Sequence, residues 1–178
     1  MKILAAVAHG NRQPLALEQV DLAEPADGEI LVRLVATGIC GTDLSMIDHV
    51  PMPWPAVFGH EGAGIVERTG CAVTTVAPGD HVILSTTSCG HCPICQRGEP
   101  SLCHHFTESN MSGGRRADGS RTMHQHDKHV FASFLGGIVT LSNARRQAGN
   151  NGRVRQQLPS FATWPAPDRD RSAMCDAR

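Results

Sequence analysis

The feature that most restricts this chain is a run of four thiols, Cys89-Gly-His-Cys92-Pro-Ile-Cys95-Gln-Arg-Gly-Glu-Pro-Ser-Leu-Cys103. Spacings of three, three and eight place all four in one short lobe. Four thiolates are what a closed, tetrahedral zinc site requires. Gly90 and Gly98 ease the turning that brings the sulfurs to a common ion. Buried or redox-active cysteines are the competing reading, but four thiols so spaced rarely serve only as packing. Cys89, Cys92, Cys95 and Cys103 are therefore read as structural zinc ligands. Such a site holds a fold together and does not itself name a chemistry.

Around this lobe the chain has 178 residues, enough for one ordinary domain or a small domain with an appendage. It is 40% apolar and only 4% aromatic, with no tyrosine, which permits a modest core. Net charge is −1 but divides unevenly: residues 1–103 carry 5 basic and 11 acidic side chains, residues 104–178 carry 11 and 6. Seven cysteines, an odd number with zinc-type spacing, argue for a reducing compartment, so a cytoplasmic location is expected. The opening Met1-Lys-Ile-Leu-Ala-Ala-Val-Ala8 has too short an apolar run for a signal peptide and reads better as a strand. No run approaches the length that spans a bilayer, so no membrane association is expected. Asn110-Met-Ser112 matches a glycosylation sequon, which carries no meaning in a cytosolic chain.

Residues 2–8, 15–20 and 29–37 are rich in Ile, Leu and Val, are separated by turn chemistry and predict strands. Gly62–Thr69 and His81–Ser85 add two more, the second entered through the turn Ala77-Pro-Gly-Asp80. Many short strands with almost no helical periodicity predict a mainly β fold, a small antiparallel barrel or sandwich.

Two constellations fall in the loops of that barrel: Thr37-Gly-Ile-Cys40-Gly-Thr42-Asp43 and Val57-Phe-Gly59-His60-Glu61-Gly62-Ala-Gly64-Ile-Val-Glu67. A Cys and a His from two loops are plausible zinc ligands. Asp43 is placed to accept a hydrogen bond from the far ring nitrogen of His60 and fix its tautomer. Thr42 puts a hydroxyl nearby that can pass a proton. On the residues alone, a small buried thiol and a turn-capping imidazole account for Cys40 and His60 more simply.

The order of these motifs, followed by Pro78-Gly-Asp-His-Val82 and the four-cysteine lobe, resembles the zinc-dependent medium-chain alcohol dehydrogenases over residues 1 to 106. Phe58-Gly-His-Glu-Gly62 and Gly113-Gly-Arg-Arg-Ala-Asp-Gly119 are most similar to the aryl or benzyl alcohol branch. The resemblance implies a GroES-like catalytic barrel with two zincs, followed by a Rossmann domain for NAD. It implies that Cys40 and His60 bind the catalytic zinc, that Glu61 is the neighbouring carboxylate, and that Thr42 is the hydroxyl beside the bound alcohol. The implied reaction is NAD-dependent oxidation of a primary alcohol, aromatic in the branch most resembled, to its aldehyde.

The rest of the sequence departs from that pattern. Gly41 stands where the branch often has a basic or imidazole side chain toward the cofactor's phosphates. The family's third catalytic-zinc ligand is a cysteine near the start of the dinucleotide domain; beyond Cys103 there is only Cys175, in the unmatched context Ser172-Ala-Met-Cys-Asp-Ala-Arg178. No Gly-x-Gly-x-x-Gly occurs. Residues 141–157 are polar and basic without periodicity, which predicts a disordered loop. Ser160-Phe-Ala-Thr163 resembles a return into a barrel strand, but Pro165 and Pro167 follow. The expectation is a barrel over 1–110 and an irregular, partly disordered remnant over 111–178, with the family frame interrupted by frameshift, degeneration or truncation.

His104, His105, His124, His126 and His129 are read as solvated-loop residues, since polar flanks offer no framework for ligands. The basic tail does not make a nucleic-acid module, because Cys95–Cys103 is too short and Gly/Pro-rich to carry a recognition helix. The partner expected from the family is a small alcohol or aldehyde. The family's homo-oligomers form mainly through the dinucleotide domain missing here. A non-catalytic zinc-binding fragment, or pseudoenzyme, stands as the alternative to an active dehydrogenase.

Overall fold

The computed structural model describes residues 1–134 and the backbone of residues 141–145. Strand β1 (Lys2–Ala8) and strand β2 (Ala16–Leu22) pair antiparallel, with Lys2 opposite Asp21 and Val7 opposite Ala16. Val20 and Leu22 point inward while Gln19 and Asp21 face water, the two-residue alternation of a half-buried strand. Strand β3 (Glu29–Thr37) buries its first four residues, with Leu31 in one apolar cluster and Ile30 and Val32 in another. It is thus covered on both faces, which is why its sequence reads as a nearly continuous apolar run.

Helix α1 (Gly41–His49) follows, then β4 (Ala56–Val57), β5 (Gly62–Thr69) and β6 (His81–Ile83). The cysteine lobe contains α2 (Pro93–Gln96), a single 3-10 turn (Pro100–Leu102) and α3 (Phe106–Asn110). Strands β7 (Met123–Gln125), β8 (Lys128–His129), β9 (Phe131–Ala132) and β10 (Leu141–Arg145) close the order. One sheet runs β8-β7-β2-β1-β4-β9 and the other β10-β3-β5-β6. All pairings are antiparallel except β4 with β9. Ile3, Val7, Val20, Leu31, Val57 and Met123 form the main core. Full burial of each such aliphatic side chain contributes about 1.5–3 kcal/mol.

The mainly β architecture expected from the sequence is observed, with four local corrections. Thr42 and Asp43 do not lie in a loop: they form the first turn of α1. That helix is only nine residues long and buries Asp43, Met46 and Ile47, a stripe too short to show as periodicity. The strand begun at His81 ends at Ile83 rather than Ser85. The chain does not turn irregular after residue 110: β7 extends the first sheet beside β2, and Met123, Val130 and Ala132 are buried in its core. Residues 141–145 are not a loop but pair with β3, Leu141 opposite Arg33 and Arg145 opposite Glu29. The remainder of the 141–157 segment, Ser160–Thr163 and Cys175 lie outside the described residues.

The motif Gly113–Gly119 has a local purpose in this fold. Arg116 reaches back to the buried carboxylate of Glu29, its Nη2 donating to Oε2 at 2.7 Å and to the Glu24 carbonyl at 2.6 Å. Its Nε donates to both Glu29 oxygens at 3.1 Å. The turn after the lobe is thereby fastened to the start of β3.

Candidate metal centres

Pairing of β3 with β5 creates the first site. Thr37 at the end of β3 lies opposite Gly62 at the start of β5, so the segment leaving one strand meets the segment entering the other. The Gly38 N–H donates to the Glu61 carbonyl at 2.8 Å and continues that contact past the strands. A β-carbon on Gly38 would run into the Glu61 carboxylate, so glycine is what lets this side chain lie here. Gly59, with φ at 120°, turns the chain just before His60.

Cys40 is the N-cap of α1. Its sulfur accepts the Thr42 N–H at 3.5 Å, while its own N–H donates to Asp43 Oδ2 at 3.0 Å. This is a reciprocal capping box built on a thiol. The Thr42 side chain stays exposed, with Oγ1 3.6 Å from the Cys40 sulfur. Three groups hold the Cys40 thiol below its ordinary range: first the Thr42 N–H, then the Thr42 hydroxyl, then His60.

The fully buried Asp43 turns its other oxygen, Oδ1, to within 3.3 Å of His60 Nδ1. That contact is close enough for an ion pair but is not aligned as a hydrogen bond, and neither atom has another hydrogen-bond partner. The distance makes each the natural partner of the other, needing only a small rotation of the ring. Phe134 stacks obliquely on His60, with ring centroids 4.8 Å apart. One ligand atom each from Cys40, His60 and Glu61 then lies within 4.8 Å of the others. A thiolate, an imidazole backed by a carboxylate, and a second carboxylate form a donor set suited to zinc.

The second site is the cysteine lobe. The sulfurs of Cys89, Cys92, Cys95 and Cys103 all lie within 4.8 Å of one another. Backbone N–H groups point at them: Cys89 donates to the Cys103 sulfur at 3.3 Å, His105 to the same sulfur at 3.3 Å, and Cys92 to the Cys89 sulfur at 3.4 Å. Such donors favour thiolate over thiol. N–H groups of Cys95 and His104 bring the Cys92 thiol down to about 5, whereas burial pushes Cys95 up to about 11. Four crowded sulfurs cannot all ionise without a cation among them, and a zinc ion is the group that fits.

Asn110 closes the base of this lobe and was not singled out as structural by the sequence. Its Oδ1 accepts the Thr87 N–H at 2.7 Å, and its Nδ2 donates to the Thr87 and Phe106 carbonyls, both at 2.8 Å. The sequon asparagine is therefore buried and fully bonded, at 1% exposure. Only the tertiary structure reveals this, because a sequon asparagine and a buried clasp look alike in one dimension.

Among the described residues, three groups bring metal-ligating atoms together: the two sites above and Cys89 with His91 and His105. His124, His126 and His129 join none of them, and His124 and His129 instead face each other across the β7–β8 hairpin with ring centroids 4.8 Å apart. His105 is exposed, as read from the sequence, and stands beside Cys89 of the lobe. No helix among the described residues is long and apolar enough to cross a membrane.

A two-sheet barrel carrying a four-cysteine lobe and a Cys–His–carboxylate cluster, each able to hold a metal, is the makeup of a GroES-like fold. The solved structures agree. An alcohol dehydrogenase zinc-binding domain protein from Burkholderia ambifaria matches with a TM-score of 0.76 and 40% identity, over 82% of this chain and 40% of that one. Benzyl alcohol dehydrogenase from Acinetobacter calcoaceticus matches at 0.73 and 36%, over 82% and 39%. Residues 26–135 match the family model described as the alcohol dehydrogenase GroES-like domain, and the chain belongs to that family. Geraniol dehydrogenase from Castellaniella defragrans is 39% identical over 155 residues, which is 87% of this chain and 42% of that protein. S-(hydroxymethyl)glutathione dehydrogenase from Escherichia coli is 43% identical over 116 residues, 64% of this chain and 31% of that protein. The chain thus spans less than half the length of these relatives.

Proposed function

We propose that this chain is the catalytic barrel of a zinc-dependent alcohol dehydrogenase, holding a catalytic ion on Cys40, His60 and Glu61 and a structural ion on Cys89, Cys92, Cys95 and Cys103. The observation that carries the reading is the convergence of Cys40, His60 and Glu61, with the exposed Thr42 hydroxyl beside them. Glu61 would supply the third protein ligand, the one for which no cysteine could be found in sequence. Three protein ligands and an open position are what a catalytic zinc site takes.

A zinc ion bound there would act as a Lewis acid and lower the pKa of an alcohol's hydroxyl. The residues supply the rest. Asp43 stands behind the His60 ring, its Oδ1 3.3 Å from Nδ1, and favours one orientation of it. Thr42 presents its hydroxyl at the mouth of the site, where it can take the substrate's proton and pass it to water. Hydride transfer requires an acceptor, NAD by the family's chemistry. Geraniol and benzyl alcohol, named in two relatives, are both primary alcohols next to an unsaturated carbon. A primary alcohol of that class is the proposed substrate.

The test is metal content together with turnover. Purified protein should contain two zincs per chain, one of them lost in Cys40→Ser, and, fused to the dinucleotide-binding half of a relative, should reduce NAD with benzyl alcohol. One zinc in wild type, unaffected by Cys40→Ser, would overturn the catalytic site. A second reading rests on the four-sulfur lobe, a closed ligand set with no open position for chemistry: a zinc-binding protein without hydride transfer. Two zincs with no NAD-dependent turnover across a panel of primary alcohols would select it.

A further inference from the structure

Cys89 is the sulfur through which the thiolate lobe meets solvent. It is partly exposed, whereas Cys92, Cys95 and Cys103 are buried. Two exposed imidazoles, His91 and His105, stand beside it, with ring centroids 5.9 Å apart. One ligand atom from each of the three residues lies within 4.8 Å of the others.

Both rings are oriented by the atoms behind them. His91 Nδ1 sits 2.9 Å from the Cys89 carbonyl oxygen, which can only accept, so Nδ1 carries the proton. His105 Nδ1 sits 2.9 Å from the Glu108 carboxylate, which likewise accepts. In each neutral ring the remaining nitrogen, Nε2, then keeps a free lone pair, the state that binds a metal. A backing carbonyl and a backing carboxylate are the usual supports of zinc-binding imidazoles. Neither His91 nor His105 is needed for the four-thiolate set, which is complete without them.

We propose that His91, His105 and Cys89 form a solvent-facing zinc-exchange site, at which an incoming zinc ion is held before it enters the four-thiolate lobe. This rests on the reading of that lobe as a zinc site. A ring nitrogen of His91, one of His105 and the Cys89 sulfur would bind the incoming ion. Cys89 then releases the resident ion, and Cys92, Cys95 and Cys103 exchange it in turn. One zinc ion enters and one leaves as its aqua ion, with no proton or electron transferred. The shared Cys89 sulfur makes the exchange associative, so the lobe never empties.

The experiment follows uptake of isotopically labelled zinc into the zinc-loaded protein, in a Cys40→Ser background so that only the lobe's ion is read. The His91→Gln/His105→Gln double variant should retain the same total zinc but take up label about tenfold more slowly, the low end of what losing supporting groups around a metal costs. Glu108→Gln, which removes the charge behind His105, should slow uptake by less. Equal rates in wild type and double variant would overturn the proposal. So would a lower zinc content in the double variant, since the imidazoles would then be part of the lobe's own ligand set. If Cys92→Ser leaves zinc content unchanged, the lobe itself is not a zinc site, and that separate result removes the proposal with it.

Discussion

At Gly38 a β-carbon would occupy the space taken by the Glu61 carboxylate. Gly38→Ala should therefore push Glu61 out of the Cys40–His60 cluster. The expected result is loss of one of two zincs, as in Glu61→Gln, with little change in stability, because the clashing atom is the far end of an exposed, flexible side chain. Metal analysis and denaturant unfolding read the two effects separately. Cys40 offers a second residue-scale prediction. Its depressed pKa keeps thiolate populated above that value, and the thiolate is lost only as pH falls through it. In metal-stripped protein, alkylation of the Cys40 peptide should thus persist to a lower pH than for an ordinary cysteine. Thr42→Val should move the midpoint up only part of the way, because the larger cause is the Thr42 backbone N–H, which that variant retains. A wild-type midpoint equal to that of a free cysteine would contradict the geometry described for this cap.

Helix α1 serves less as a packing element than as a mount for two side chains. Its N-cap is a candidate ligand, and its third residue, Asp43, both closes the cap and stands behind His60. Asp43→Ala should cost about 1–2 kcal/mol through the cap. It should also weaken zinc at the Cys40 site by about 10–100-fold, measured by competition with a chelator, and leave the lobe's zinc unchanged. The link between Arg116 and β3 makes a prediction of another kind. Glu29 is 5% exposed, and apart from Arg116 its side chain accepts one hydrogen bond, from the Ala26 N–H at 3.0 Å. Arg116→Met would strand a buried carboxylate, for which a loss of about 3–5 kcal/mol is expected by denaturant unfolding. An effect under 1 kcal/mol, roughly that of an exposed pair, would mean the Glu29 site is wetter than described.

For the whole molecule, the lobe is closed at its base where Asn110 bonds back to Thr87, and its Asn110 carbonyl accepts the Phe134 N–H that follows β9. The lobe's buried interior is chiefly its own cysteines, with Ile94 and Phe106 packed against them, so little apolar burial holds it once zinc is gone. Cys92→Ser should lower the midpoint of thermal unfolding, because structural zinc binding is coupled to folding. Hydrogen exchange should show protection lost between residues 88 and 110 while β1, β2 and β3 keep theirs, since their core draws on neither zinc. Uniform loss over both regions would mean that lobe and barrel fold as one unit.

The lobe was legible because its ligands are neighbours in sequence: fifteen residues contain all four sulfurs, and spacing alone announces a common ion. The strands were legible for a similar reason, since alternation and apolar runs are local signals. Asn110, Arg116 and the helical setting of Thr42 and Asp43 were not, because each depends on what a distant segment places beside it. Cys40 and His60 stand between these cases. Motif order could name them, but residue chemistry alone preferred a buried thiol and a turn cap.

What the sequence determined by itself is the β architecture, the four-thiolate lobe and the family. What only the tertiary structure decided is how the other ligands meet. Antiparallel pairing sets Thr37 opposite Gly62, and that register carries Cys40 and the His60–Glu61 pair to one end of two strands. Twenty residues separate Cys40 from His60 along the chain, and no periodicity within either segment encodes their approach. The physical reason is that register is a property of two strands and the core between them, and it belongs to neither segment alone.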